Sequence, residues 1–421
     1  MNNDQDALLS GVRVVESASL LNGDTLGMLL GDLGADVIKV ESPGRGDYLR
    51  DFMGQITAHN SPAHLQVNRN KRSVAVDVRT DAGRDAFWRL LESADVFVDG
   101  NAAGAMDRLG IGYDAQRQRN PAIIYASVTG FGLLGPYSKI PTHGMLMTAL
   151  AGANPVARGE DGFMHPIPPS GLGGAEMGGE ATAAAAVHAA LRVAAALFAR
   201  ERTGKGCHID VAGSDAVIAQ ALAAVIYKLN DARLTERDSL PTIDGGVWKG
   251  AKYQFYETRD GRMVILAAIE DKFWANFCTA IDRPDLISSS VSSAGGVDFG
   301  GDETALRDAL IAVFASRDQQ EWVELAARHR FPLGPAPITL TEMAADPHIC
   351  ARSIIVEADH PDAGPFTYVG SAAVIDGQPF RVRRPAPALG EHTTQVLSEI
   401  GYDGDELELL RAGISSVANE W

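Results

Sequence analysis

Gly11-Val-Arg-Val-Val-Glu-Ser-Ala-Ser-Leu-Leu-Asn-Gly-Asp-Thr-Leu-Gly-Met-Leu-Leu-Gly-Asp-Leu-Gly-Ala-Asp-Val-Ile-Lys-Val-Glu41 is the stretch that decides the fold. Its first five residues, Gly11 to Val15, are a β-branched run that reads as a buried strand. Asp24 to Leu33 has helical apolar spacing, and Gly34 follows as a C-cap. Asp36 to Glu41 is a second strand, closed by Ser-Pro-Gly. The same rhythm continues outward. Ser73 to Asp77 reads as a third strand, Thr80 to Glu92 as a helix, Asp95 to Val98 as a fourth strand and Ile123 to Val128 as a fifth. Strands alternating with helices imply an α/β fold with a parallel, doubly wound sheet.

Beyond this block, Thr142 to Leu150 reads as a helix, Ala153 to Gly174 as a Gly/Pro-rich loop and Glu176 to Thr203 as a long Ala-rich helix ended by Gly204-Lys-Gly206. His208 to Ala212 is a further strand. A strand pair over 252–269 is turned by Asp260-Gly261, a strong hairpin signal. Helices over 271–281, 304–316 and 319–328 complete a small α+β domain. Strand and turn signals then lead to a C-terminal helix from about Gly404. The expected division is a large Rossmann-like domain over 1–230, a linker over 231–250, the small domain over 251–330, and a C-terminal part, 331–421, that returns to the large domain.

The chain has 421 residues, 46% hydrophobic and 22% charged, with a formal net charge of −17. Such a balance disfavours nucleic acid, which needs a basic stripe. A polyanion can still be held by local cations and helix N-termini. The three cysteines, Cys207, Cys278 and Cys350, form neither a disulfide framework nor a CxxC metal pattern, so no metal is expected. The polar, acidic start does not read as a signal peptide, and the apolar stretch from Ala181 to Ala199 carries His188 and Arg192. The expectation is a cytoplasmic protein without a membrane span.

Several strings carry a resemblance. They are Leu30-Gly-Asp-Leu-Gly-Ala-Asp-Val-Ile-Lys-Val-Glu41 with Pro43, Gly44, Gly46, Asp47 and Arg50; Asn68-Arg-Asn-Lys-Arg-Ser-Val-Ala-Val-Asp77; Leu109-Gly-Ile-Gly-Tyr113 with Pro121; Gly130-Phe-Gly followed by Gly135-Pro-Tyr137; Arg200-Glu-Arg-Thr-Gly-Lys-Gly206 with Asp210; and Pro385-Ala-Pro with Leu389-Gly-Glu-His392. Each is weak alone. Together, in this order over nearly the whole chain, they resemble the class III CoA-transferases, the CaiB/BaiF family that includes formyl-CoA transferases and α-methylacyl-CoA racemases. The resemblance implies a Rossmann-like large domain built from both chain ends, a small domain between, and two subunits interlocked like linked rings. It also implies coenzyme A and acyl-CoA as substrates, exchanged with a free carboxylic acid.

Family chemistry needs a nucleophilic Asp. It attacks the thioester of an acyl-CoA, giving an enzyme-bound mixed anhydride and free CoA thiolate, and the enzyme carboxyl then becomes a transient CoA thioester. The tetrahedral intermediates need N–H donors, hence a Gly-rich surround. The corresponding stretch, Ser170-Gly-Leu-Gly-Gly-Ala-Glu-Met-Gly-Gly-Glu-Ala-Thr182, holds no Asp. Allowing a short insertion, Glu176 takes the Asp position, with Glu180 the second candidate. Both stand at a helix start, which favours an ionised carboxylate whether or not it is catalytic. His143, within Thr142-His-Gly-Met-Leu-Met-Thr-Ala-Leu-Ala-Gly152, aligns with a catalytic base of the racemase branch, although Gly144 replaces that branch's acidic neighbour. A His that merely contacts CoA or caps a loop fits the same string.

Lys39, Arg50, Arg69, Lys71, Arg72 and Arg108 occupy family positions and are the candidates for the CoA phosphates. Other residues depart from the pattern. Asn22-Gly-Asp24 stands for Ala-Gly-Pro, Glu41-Ser-Pro43 for Glu-Arg-Pro, and Asp99-Gly-Asn-Ala-Ala-Gly104 for Glu-Asn-Phe-Arg-Pro-Gly. These changes fall where CoA is expected, as in a fold released from a CoA constraint. Three readings follow: the Asp-lacking subunit of a heteromeric, benzylsuccinate-type CoA-transferase paired with an Asp-bearing paralogue; a self-sufficient transferase using Glu176, as an interlocked homodimer; or a racemase/epimerase using His143 with Glu176. Met145, Met147 and Leu150 either line a pocket for an aromatic or branched acid or belong to the core.

Overall fold

Apolar runs set the frame. β1 (Arg13–Ala18), β2 (Asp36–Glu41), β3 (Lys71–Ala75), β4 (Val96–Gly100), β5 (Ile124–Thr129) and β6 (Cys207–Ala212) form one sheet in the order β3-β2-β1-β4-β5-β6. Every neighbouring pair is parallel. The computed structural model describes residues 7–154, 156–166, 181–235, 237, 240, 243–244, 247–287, 296–299 and 303–408. These form two compact units, one from 7–166, 181–222 and 352–408, the other from 223–351.

In the first unit, both sheet faces are covered. α1 (Leu21–Asp32) contributes Leu26 and Leu30 to one face. α5 (Ala181–Thr203) covers that face with Ala184, Ala185, Ala189, Val193 and Leu197, whose mostly small side chains allow close approach. On the other face, α3 (Asp81–Glu92) buries Phe87, Leu90 and Leu91 beside Val396 and Leu397 of α9 (Thr393–Glu399). Each such side chain contributes roughly 2 kcal/mol by leaving water. Thr80 caps α3, its hydroxyl accepting from Gly83 N at 3.0 Å. α2 (Pro62–Val67) is capped in the same way by Ser61. Two antiparallel strands, β10 (Ile355–His360) and β11 (Gly364–Val369), add a hairpin.

The second unit is a small α+β assembly. β7 (Tyr253–Glu257) and β8 (Met263–Ala267) pair antiparallel, and β9 (Leu333–Pro335) adds to β8. Gly261, at φ 72°, supplies the left-handed turn residue. α6 (Asp271–Ala280), α7 (Thr304–Phe314) and α8 (Gln319–His329) pack Trp274, Phe277, Phe314 and Trp322 on this sheet. Both indole N–H groups find carbonyl partners, Leu286 O and Phe314 O, at 3.0 Å.

The structure differs from the sequence reading in several places. The loop expected over 153–174 contains an antiparallel pair, Val156–Arg158 with Met164–Pro166. At 3 residues each, these strands are too short to show a period. Helices at Gly213–Gln220 and Leu222–Leu229 lacked a start signal, since Ala212 and Ala221, the residues before them, have no side chain that can cap. Within the stretch read as linker, Ile243–Asp244 pairs with Val247–Trp248. Residues 404–408 are helical, as expected from Gly404 onward. α5 is, among the described residues, the one helix long and apolar enough to cross a membrane. One of its faces lies on the sheet, while another exposes Val187, Leu191 and Phe198.

Candidate active site

The strand order reverses between β1 and β4. In an open parallel sheet the crevice beyond the carboxyl ends at such a switch point is where ligands bind. A cleft of about 880 Å³ opens there. Its walls are Ser19 to Asn22 after β1, Gly100 to Ala103 after β4, Val128 to Phe131 at the end of β5, a segment around His143, and Ala181 and Thr182 at the start of α5. The helix start comes close to the strand ends because no side chain stands between: a Cβ on Gly100 would lie 2.6 Å from Ala18 Cβ and 3.1 Å from Gly23 Cα.

Leu20, on the cleft wall, has φ 62° and ψ −165°, a region that only glycine enters freely. What holds it is Asp47, whose carboxylate accepts from Leu20 N at 3.2 Å through both oxygens. Asp47 is in turn held by Lys39 Nζ at 3.0 Å. Lys39 also donates to Asp24 at 2.5 Å and Glu16 at 3.2 Å, and Lys71 closes the group by donating to Glu16 at 2.8 Å. All of these side chains are buried. Burial pushes the Asp24 carboxyl well up, only partly offset by Lys39. Asp47 is also opposed by burial, but Lys39 and the surrounding hydrogen bonds outweigh it and hold its pKa well below the usual range. Asp24, a departure at sequence level, is therefore an integral member of a buried charge network that shapes the cleft wall.

The six candidate cations separate by burial. Besides Lys39 and Lys71, Arg50 pairs with Glu41 at 2.8 Å, Arg69 with Asp32 at 2.7 Å, and Arg72 with Asp36 and Glu399 at 2.5 and 2.8 Å. These five side chains are sealed from solvent and already matched to carboxylates of the chain. Arg108, at the end of the helical turn Ala105–Arg108, is exposed. None of the six lies in the cleft wall. His143 does. It is exposed at the N-terminus of α4 (Gly144–Leu150), and its side chain makes no capping bond. Met147 is buried, Met145 and Leu150 are exposed, and both methionines reach the cleft. Glu176 and Glu180 lie outside the described residues.

Two cleft residues escaped the sequence reading as candidates. Asn22 Oδ1 and Thr129 Oγ1 are buried polar atoms without a hydrogen-bond partner. An unpartnered polar atom is costly in a dry wall, so such atoms mark places where a ligand or water belongs. The motif loop after β5 is anchored from β6: Asp210 accepts from Leu133 N at 3.0 Å, and Gly132 takes φ 76°. Asp99, at the end of β4, accepts from Tyr125 Oη at 2.8 Å, and burial raises its pKa. Among the described residues the cleft wall contains no Asp, Glu, Lys or Arg.

The model of CoA-transferase family III matches residues 9–393. Succinyl-CoA:glutarate CoA-transferase of Homo sapiens is 32% identical, the match covering 98% of this chain and 91% of that protein. Succinyl-CoA:mesaconate CoA-transferase of Haloarcula marismortui is 32% identical, covering 94% and 97%. The crystal structure of a CaiB/BaiF family protein from Brucella suis superposes with a TM-score of 0.69 at 27% identity, covering 94% of this chain and 99% of that one.

Proposed function

The chain belongs to CoA-transferase family III, and on that premise we propose that it serves the transfer of coenzyme A from an acyl-CoA donor to a free carboxylic acid, as one chain of an interlocked dimer in the cytoplasm. The observation that carries this reading is the switch-point cleft, whose wall ends on Ala181 and Thr182. Glu180 is the residue before them in sequence, and Glu176 is within about 18 Å of Ala181 by chain length alone. Both candidate acids thus belong to the segment of sequence that leads into the cleft wall at Ala181. Arg108, the exposed cation of the candidate set, is the residue proposed for the CoA phosphates, and the buried five shape the fold around them.

Two versions of the reading differ in where the nucleophile resides. In one, Glu176 attacks the thioester. In the other, the chain is the non-catalytic subunit and an Asp-bearing paralogue supplies the attack. The second is supported by the absence of Asp from Ser170 to Thr182 and of any carboxylate from the described cleft wall. The apolar stripe Val187, Leu191 and Phe198 on α5 supports a dimer in either version, since no described residue covers it. The deciding experiment incubates the purified chain with acyl-CoA donors and carboxylate acceptors, traps with hydroxylamine and reads the adduct by mass spectrometry. An adduct on Glu176, lost in Glu176→Gln, establishes the first version. Activity that appears only with an Asp-bearing partner establishes the second. No activity in either setting overturns the proposal.

A racemase or epimerase reading is favoured by one observation, that His143 lines the cleft. Deuterium exchange at the α-carbon of a 2-methylacyl-CoA, abolished by His143→Gln, tests it.

A further inference from the structure

Resting on the reading that a CoA thioester occupies the switch-point cleft, we infer that the cleft takes an acyl group with one carboxyl end and an apolar, preferably aromatic, body, and that it discriminates against dicarboxylic acyl groups. The relatives named above act on succinyl-CoA with glutarate or mesaconate, each of which brings a second carboxylate. An ionised carboxylate taken into a protein wall needs a cation and hydrogen bonds, and its desolvation otherwise costs several kcal/mol.

No described residue of this wall supplies such a cation. It has no Lys or Arg, and the cations close behind it are sealed off and matched to Glu16, Asp24, Asp47 and Glu41. The sequence between Pro166 and Ala181 contains no Lys or Arg. Among the described wall residues His143 is the one basic side chain, and it is exposed; an exposed cation outside the wall, Arg45, is turned onto the Tyr48 ring, 6.0 Å from its centroid.

What the wall does offer is apolar: Tyr48, Phe52, Phe131, Ile140, Met145 and Met147. Aromatic faces and thioethers suit a ring or a branched chain. A donor for one carboxyl end is also present. Thr129 is only 8% exposed, and its Oγ1 has no partner. The Asn22 amide, whose Oδ1 is likewise buried and unpartnered, stands on α1 across the same cleft. The Thr129 hydroxyl can donate to one thioester or carboxylate oxygen, while Asn22 Oδ1 accepts; neither can neutralise a second charge.

The test is calorimetric binding to the full chain of CoA, phenylacetyl-CoA and succinyl-CoA. The inference expects phenylacetyl-CoA to bind at least about tenfold more tightly than succinyl-CoA. Thr129→Val should weaken phenylacetyl-CoA about fivefold or more without lowering the melting temperature, because the hydroxyl it removes has no partner in the fold. Gly144→Arg adds the missing cation. A Cβ there meets nothing within 4 Å, so the fold should accept it, and succinyl-CoA should gain about tenfold relative to phenylacetyl-CoA. Equal or tighter binding of succinyl-CoA by the unaltered chain, with CoA itself bound, overturns this inference and leaves the CoA reading standing. Failure of CoA and both thioesters to bind overturns the CoA reading and this inference with it.

Discussion

Lys39 and Asp24 meet at 2.5 Å with both side chains sealed from solvent. The pair extends to Asp47 and so to the backbone of Leu20 at the cleft. Removing the cation leaves several buried acids short of a partner. Lys39→Met should therefore cost about 3–5 kcal/mol, read by urea denaturation. Asp24→Asn keeps the shape and removes a charge that burial opposes, and should cost under about 2 kcal/mol. A smaller loss for Lys39→Met than for Asp24→Asn would contradict the network as described.

His64 carries a pH dependence. Burial, and then the neighbouring Arg50, lower its pKa to about 3. The unfolded chain, with an ordinary histidine near 6.5, takes up the proton first as pH falls. Stability from this group is thus complete above about pH 7 and is lost at up to about 1.4 kcal/mol per pH unit on acidification towards pH 3. Denaturation curves between pH 7.5 and 5 should show a shallower slope for His64→Gln than for the unaltered chain. An unchanged slope would mean that His64 takes up its proton equally in the folded and unfolded chain.

Gly100→Ala places a methyl 2.6 Å from Ala18 Cβ, against atoms that cannot rotate away. The cost should be about 1–3 kcal/mol, with loss of CoA binding as the start of α1 is pushed off the strand ends. Gly144→Ala, where the added methyl meets nothing within 4 Å, should change neither. Thermal melts and calorimetry on both variants separate a tight contact from a general intolerance of substitution around the cleft.

Leu191 and Phe198 lie on the exposed stripe of α5. The double change to Glu should lower the sedimentation mass of the purified protein from dimer to monomer while leaving the far-ultraviolet spectrum unchanged, because neither side chain belongs to the core beneath. An unaltered mass would remove this helix from the proposed subunit interface.

The sheet was legible because its strands are β-branched runs with turn chemistry at their ends. Asp36 to Glu41 appears with the bounds its sequence implies, and Thr80 caps the helix it announces. The resemblance also led to the family. What sequence does not carry is pairing in space. A lysine in a strand reads equally well as a phosphate ligand or as the centre of a buried cluster, and only the positions of Glu16, Asp24 and Asp47 decide for Lys39. Asp24 read as drift for the same reason. Asn22 and Thr129 carry no signal in sequence, because an unpartnered oxygen is a property of the packed wall. His143 was legible through its string, and the fold brings it to the cleft.

The core of the first unit is closed by residues from the far end of the chain. Val396 and Leu397 pack beside Phe87 and Val74, and Glu399 pairs with Arg72, 327 positions earlier. During synthesis the sheet strands therefore leave the ribosome long before the segment that seals one of their faces, with the whole of residues 223–351 still to be made in between. For that interval the part of the sheet face that α3 does not cover stays open, the kind of surface that chaperones bind and aggregates grow from. A chain terminated anywhere before residue 393 lacks the segment that completes that face. Folding of the first unit is in this sense post-translational, whatever the second unit does in the meantime.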